Sequence, residues 1–372
     1  MKQFILTLFF LGLAISMAGA AERPNILFCI SDDQSYAHTG AAHDPVVKTP
    51  AFDRVAREGI HFYHAFCDAP TCGPSRSAIL TGQPIWRLEE AGNIHSTLPA
   101  KFTTYTELLK DAGYAIGFTG KGWSPGRLEP GGRKTNPAGA EFNRRKLKPP
   151  FRSVANRDYA ANFDDFLASV PKGKPWAFWY GTTEPHRGYE FKNGVKNGKK
   201  LSDLDRVPAY WPDVETVRHD ILDYSIEVEH YDKHLGRILG SLDKSKLAQD
   251  TLVISTSDHG MPFPRCKGQA YDPSNHLPLA MRWPQGIQGT GRKVDDYVSF
   301  ADFAPTFLQL AGLTADKVGM QPLVGRSLLD VFASPKSGQV NPQRDHVLVG
   351  KERHDVGRPK NGGYPIRGIV KG

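Results

Sequence analysis

Pro24-Asn25-Ile26-Leu27-Phe28-Cys29-Ile30-Ser31-Asp32-Asp33 is a short apolar run that ends in two adjacent carboxylates. A run apolar at successive positions, rather than at every second one, reads as a strand buried on both faces, as in a parallel sheet. The acidic pair then falls at the carboxyl end of that strand, where open α/β sheets gather their chemistry. Two like charges side by side repel unless a cation or a shared proton intervenes, and a hard divalent cation with oxygen ligands is the simplest remedy. A solvated turn is the commoner reading of an isolated Asp-Asp, so the pair needs support from elsewhere in the chain.

Working outward, strand and helix signals alternate. Thr49-Pro50 opens a helix, with Thr49 as N-cap and proline at the first helical position, and Gly59 closes it before His61-Phe62-Tyr63. Thr104-x-x-Glu107 is a capping box, Gly113 ends that helix, and Tyr114 to Thr119 is the next strand. Pro175 to Tyr180 is another buried strand. Ile221, Tyr224, Val228, Tyr231, Leu235, Ile238 and Leu242 then hold three-four spacing on one face of a long helix, which makes the tyrosines core residues. Thr251 to Ser255 is a strand ending in Asp258-His259-Gly260, and Asp302 to Leu310 is helical. The pattern predicts an α/β fold: a large, mostly parallel sheet sandwiched by helices. Asp32-Asp33 and Asp258-His259 both sit at strand tips, so two tips of one sheet can converge on a single ion.

The chain has 372 residues, 40% apolar and 23% charged, enough for one large domain with a small appendage. Met1-Lys2-Gln3, an apolar run from Phe4 to Met17 and Ala18-Gly19-Ala20 read as a signal peptide over residues 1–20. That run falls short of the ~20 residues needed to span a bilayer, so export to a periplasmic or extracellular space is expected, with no stable membrane anchor. Four scattered cysteines, Cys29, Cys67, Cys72 and Cys266, make no disulfide scaffold, and Cys67 with Cys72 is at most a local bridge. The net charge of +8 favours anionic partners. No nucleic-acid module accompanies it, and the basic stretch from Lys192 to Lys200 alternates with Gly and Asn like a solvated loop.

Cys72-Gly73-Pro74-Ser75-Arg76-Ser77-Ala78-Ile79-Leu80-Thr81-Gly82 is the most specific signal. It resembles the signature of the type I sulfatases of the alkaline phosphatase superfamily, C-x-P-S-R-x-x-x-L-T-G, at every defining position. The resemblance runs over essentially all of residues 23–372. It implies that a maturation enzyme oxidises Cys72 to formylglycine. It also implies that Asp32, Asp33, Cys72, Asp258 and His259 hold one divalent cation, usually calcium, with magnesium the alternative. Histidine at 259 is a softer ligand than calcium prefers. Gly120-Lys121-Gly122, Glu184-Pro185-His186-Arg187 and Lys267 match the segments that carry the family's sulfate-binding lysines and active-site histidine. Many sulfatases have histidine two residues after the first lysine, where Trp123 stands here.

The segments 257–264 and 184–187 are most similar to the heparan N-sulfatase branch. Arg187, Glu352, Arg353 and His354 fall where that branch binds substrate, although Gly350 to Asp355 reads equally as a solvated loop. The implied chemistry is attack on sulfur by one hydroxyl of hydrated formylglycine, acidified by the cation and Arg76. Lys121 and Lys267 meet the sulfate charge, and His186 protonates the departing alcohol or amine. The implied substrate is a sulfated sugar resembling N-sulfoglucosamine. The rivals are a phosphoric or phosphonic ester hydrolase of the same superfamily and an unmatured glycan-binding relative. The expected domains are a catalytic one over 21–335 and the start of a small C-terminal subdomain over 336–372. Its strand from Ile366 to Lys371 resembles the first of an antiparallel sheet, so the subdomain is expected to be incomplete, with an exposed edge and poor solubility.

Overall fold

Residues 25 to 31 form the expected strand, β1 (Asn25–Ser31), and all seven are buried. Its side chains feed two separate cores, because successive strand residues point to opposite faces. Ile26, Phe28 and Ile30 enter one apolar cluster, and Leu27 and Cys29 enter the other. The computed structural model describes residues 23–354, 360 and 362–372. The expected signal peptide and Asp355 lie outside the described residues.

After β1 the chain forms α1 (Pro50–Glu58), β2 (Ile60–Phe66), α2 (Cys72–Thr81), α3 (Tyr105–Asp111), β3 (Ala115–Gly120), β4 (Ala140–Glu141), α4 (Tyr159–Ser169) and β5 (Trp176–Gly181). It continues through α5 (Asn193–Lys196), α6 (Glu215–Ser245), β6 (Thr251–Ser257), α7 (Asp272–Asn275), β7 (Leu279–Arg282), β8 (Arg292–Ser299), α8 (Phe303–Leu310), β9 (His346–Lys351) and β10 (Ile366–Lys371). The first eight strands make one sheet in the order β4-β3-β5-β1-β6-β7-β2-β8. Only β7 runs antiparallel to its neighbours, so the sheet is mostly parallel, as expected. Helices α2, α3 and α8 cover one face through Ile79, Leu108 and Phe303; α1, α4 and α6 cover the other through Val55, Phe163 and Leu235.

The capping box at Thr104 and Glu107 forms as read. Thr49 does precede α1 with proline following, but its side chain makes no cap bond. Asp232 of α6 supplies the cap instead, accepting from the amides of Ala51 at 2.9 Å and Phe52 at 2.7 Å. Both tyrosines of α6 are buried, and Tyr231 meets Ser255 Oγ at 2.9 Å inside the core. Tyr224 has a second task, donating to the backbone oxygen of Asp33 at 3.3 Å.

Two expectations are corrected. Cys67 and Cys72 are both free, with the Cys67 thiol turned onto Ala69 O and Cys72 turned the other way, towards Asp33 and His259. Residues 366–371 are the second strand of a ribbon, not the first: β10 pairs antiparallel with β9 along its whole length. On that ribbon Leu348 and Ile369, directly paired across the strands, are 46% and 62% exposed. Among the described residues no helix is long and apolar enough to cross a membrane.

Candidate active site

In the sheet order, β1 lies between β5 and β6, and the chain crosses to opposite sides of it, so this is the topological switch point where α/β sheets leave a crevice. Register brings the tips together: Ser31 pairs with Ser257, so Asp32 and Asp258 emerge side by side. Asp32 N donates to Glu184 O at 3.0 Å and Asp258 N to Ser31 O at 3.1 Å, fixing three strand tips to one another. Asp258 Oδ1 accepts from the amides of Asp33 and His259 at 3.1 and 2.9 Å. Asp32, Asp33, Asp258 and His259 are all buried to within 1%.

The motif after β2 is explained residue by residue. Cys72 is the first residue of α2, where the helix dipole favours negative charge. Pro74 stands in the first turn, where no amide is needed for the helix ladder. Ser75 Oγ donates to Asp258 O at 2.5 Å. Arg76 Nε donates to Asp258 Oδ2 at 3.0 Å, and its Nη1 donates to Lys121 O and Gly122 O at 2.6 and 2.9 Å. Gly82 caps α2 at φ 63°, a left-handed conformation that glycine adopts without a Cβ penalty. Every residue of α2 is buried.

The Cys72 sulfur lies 3.2 Å from His259 Nε2, and that nitrogen is 2.8 Å from Asp33 Oδ1. His259 Nδ1 faces Gly260 O at 3.0 Å and must donate there, which turns Nε2 inward as a ligand, the arrangement usual for a metal-bound histidine. Ligand atoms of Asp32, Cys72, Asp258 and His259 lie within 4.8 Å of one another, as do those of Asp32, Asp33, Cys72 and His186. Asp32 Oδ1 and Arg76 Nη2 are buried without a hydrogen-bond partner and face each other at 3.7 Å. An orphaned carboxylate oxygen among three buried aspartates fits a cation.

Lys121 Nζ pairs with Asp32 Oδ2 at 2.6 Å and Lys267 Nζ with Asp33 Oδ2 at 2.7 Å. The charges hold one another in place. Burial alone would push the carboxyls of Asp33 and Asp258 up, but His259 with Lys267, and His259 with Arg76, hold them far below the usual range. Asp258 and Asp33 raise His259 well above an ordinary imidazole against its burial, and a cation held at Nε2 would stand in the place of that proton. The ammonium groups of Lys121 and Lys267 are raised against burial, Lys121 chiefly by Asp32 and Lys267 by Cys72 and Asp33.

Beside Asp32 and Lys121 opens a cleft of about 450 Å³, lined also by Ser153, Arg157, His186 and Arg187 among others. His186 is exposed there, with Nδ1 facing Arg187 O at 3.1 Å. Arg187 reaches the cleft too, but its guanidinium forks onto Asp220 at 2.9 and 2.8 Å and lies over Tyr189 and Phe263. Trp123 is buried and donates to Ser77 Oγ at 2.8 Å, so the residue at this position braces α2 and brings no titratable group.

The three C-terminal candidates separate. His354 Nδ1 meets Thr71 Oγ1 at 2.8 Å, one residue before Cys72, and its ring packs at Gly268 beside Lys267. Glu352 is spent on Arg367, and Arg353 is fixed through its backbone amide to Asn93 Oδ1. None of the three lines the cleft. Sequence reading missed Ser75, Tyr224, Ser153 and Arg157. Ser75 lies within the matched motif and was readable there.

The family model for sulfatases matches residues 24–313. The chain belongs to the sulfatase family. It is accordingly a hydrolase. It is 26% identical to N-sulphoglucosamine sulphohydrolase of Homo sapiens over 393 residues, covering 96% of this chain and 73% of that relative. It is 25% identical to an ulvan-active sulfatase of Formosa agariphila, covering 90% of this chain but only 58% of that relative. A solved structure in complex with its substrate D-glucosamine-2-N,6-O-disulfate superposes with a TM-score of 0.70 at 21% identity, over 94% of this sulfatase and 87% of that chain. The phosphonate monoester hydrolase of Agrobacterium radiobacter shares the fold at a TM-score of 0.68 and 20% identity, over 90% and 82%.

Proposed function

We propose that this sulfatase releases sulfate from a sulfated sugar resembling N-sulfoglucosamine, using formylglycine at position 72 and one divalent cation. The observation that carries the reading is the placement of Cys72 at the start of a buried helix, 3.2 Å from His259 and clustered with Asp32 and Asp33, which are paired to Lys121 and Lys267. The sugar is supported by likeness over 96% of the chain to the human N-sulphoglucosamine sulphohydrolase. Export through residues 1–20 to the periplasm or outside the cell, and a maturation enzyme as partner, belong to the same proposal.

Asp32, Asp33, Asp258 and His259 would hold the cation, and three carboxylates suit calcium before magnesium. When bound, the cation and the hydrated aldehyde supply a Lewis acid and a geminal diol nucleophile. The chain's own residues do the rest. Arg76 fixes α2 against Asp258 and places position 72 at the ion site. Lys121 and Lys267 present positive charge on two sides of the sulfate, preorganised by the aspartates they already face. His186, anchored through Nδ1, keeps Nε2 free to protonate the departing amine or alcohol in the cleft.

The test is a mass spectrum of the Cys72 peptide from the native host, followed by sulfate release from N-sulfoglucosamine, O-sulfated glucosamine and an aryl phosphonate. Aldehyde with preference for the sulfamate supports the reading. An intact thiol points to an immature glycan-binding protein, and faster phosphonate turnover to the ester hydrolase.

A further inference from the structure

We infer that Arg157 forms a second anion subsite in the cleft, receiving a second sulfate on the sugar that bears the group to be cleaved or a carboxylate on the sugar joined to it. The inference rests on the sulfatase reading above. It begins from a contrast among the cations lining the cleft. Lys121 is paired with Asp32, and Arg187 is forked onto Asp220. Arg157, half-buried on the same cleft, has no ion pair or side-chain hydrogen bond among the described residues, and its Nε is buried without a partner. An arginine placed beside buried groups with its donors unfilled is expensive to keep unless something outside the chain fills them.

Three carboxylates on the segments that frame it, Asp158, Glu184 and Glu227, are committed elsewhere. Asp158 caps α4 at Ala161 N and pairs with Arg237 at 2.7 Å. Glu184 accepts from Ala155 N at 2.6 Å and Tyr159 Oη at 2.9 Å, and Glu227 accepts from Ser153 Oγ at 2.6 Å. Lys146, the residue bridged to Arg157, adds another positive charge rather than an acid.

The backbone holds this arginine in place. Leu147 N donates to Asn156 O at 2.9 Å and Asp158 N to Arg145 O at 3.1 Å, closing the bridge on both sides of position 157. Asn193 Nδ2 holds Arg152 O at 3.1 Å, and Ser153 is kept at φ 90°, a left-handed backbone that a residue with a Cβ rarely adopts. A strained segment tied down by these bonds, aiming an unpaired guanidinium at the cleft, is preorganised for a planar or tetrahedral anion, which arginine grips with two parallel donors.

The experiment measures kcat and KM of matured wild-type, Arg157→Gln and Arg157→Lys enzymes. The substrates are N-sulfoglucosamine, D-glucosamine-2-N,6-O-disulfate, and a disaccharide of N-sulfoglucosamine with a uronic acid. In Arg157→Gln, the kcat/KM of one doubly anionic substrate relative to N-sulfoglucosamine should fall tenfold or more, carried by KM. Arg157→Lys should restore part of that ratio. Which substrate responds tells sulfate from carboxylate. Equal losses on all three substrates, as a merely structural role would produce, overturn the inference while leaving the sulfatase reading intact. A matured wild-type enzyme that cleaves none of them overturns both.

Discussion

Arg76 and Asp258 form an ion pair at 3.0 Å in which both side chains are 0% exposed. It joins the helix that carries Cys72 to the tip of β6. Breaking a buried pair leaves the other charge uncompensated, which costs about 3–5 kcal/mol. Arg76→Met should therefore lower the unfolding free energy by roughly that amount in urea denaturation. Arg76→Lys should lower it less, but should still lose the bonds to Lys121 O and Gly122 O. A variant as stable as the parent would show that the pair contributes nothing.

His186 is exposed and, among the described residues, its ring makes a hydrogen bond only to the next residue's carbonyl, so its removal should leave the fold unchanged. General acid catalysis contributes about 10²–10⁴-fold, and most where the leaving group is basic. His186→Ala should cut kcat on N-sulfoglucosamine by about that factor and on 4-nitrophenyl sulfate far less. Equal losses on the two substrates would remove the proton-donor role.

Chelation should destabilise the protein. Asp32, Asp33 and Asp258 are buried together, and Asp32 Oδ1 has no hydrogen-bond partner among the described residues. A cation at a hundredfold excess over its Kd adds about 2.7 kcal/mol to stability. Melting with excess EDTA, then with calcium or magnesium restored, should give a lower and then a recovered midpoint. Identical midpoints in all three would argue against a metal site here.

Asp68, buried just before α2, supplies a pH dependence away from the metal ligands. Burial, and to a smaller degree Asp302, pushes its carboxyl up to about 7, against the bond from Ser299 Oγ. A raised carboxyl stabilises the fold while neutral: the contribution is full below about pH 4 and disappears as pH rises to about 7. Wild type should lose stability relative to Asp68→Asn across that window, by at most roughly 1.4 kcal/mol per pH unit, and run parallel to it above pH 7.5. Urea unfolding at pH 5, 6, 7 and 8 reads this directly; a constant difference would sink it.

Strands β1, β5 and β6 were readable because they are central and apolar on both faces, and α1, α3 and α6 because caps or periodicity mark them. Strand β7 has only four residues, and β8 alternates around a buried Asp296 whose carboxylate takes the amides of Val340 and Asn341, so neither carries a plain apolar pattern. The Asp232 cap on α1 lay beyond local reading because its donors are about 180 residues away. The strand-tip carboxylates were legible from alternation alone. The lysines and His186 needed the motif resemblance. The pairing of Glu352 with Arg367 was beyond local reading because Arg367 comes from the next strand, and Arg157 carries no local signal, since what marks it is a buried Nε without a partner.

The complete burial of α2 has a temporal consequence. Cys72 is 2% exposed, Arg76 0%, and Pro74 between them is buried as well. Any enzyme that recognises the cysteine, proline and arginine together must meet them while the segment is still extended and accessible. Under the proposed maturation, oxidation at position 72 and acquisition of the native state would therefore compete, and a chain that folded first would keep its thiol.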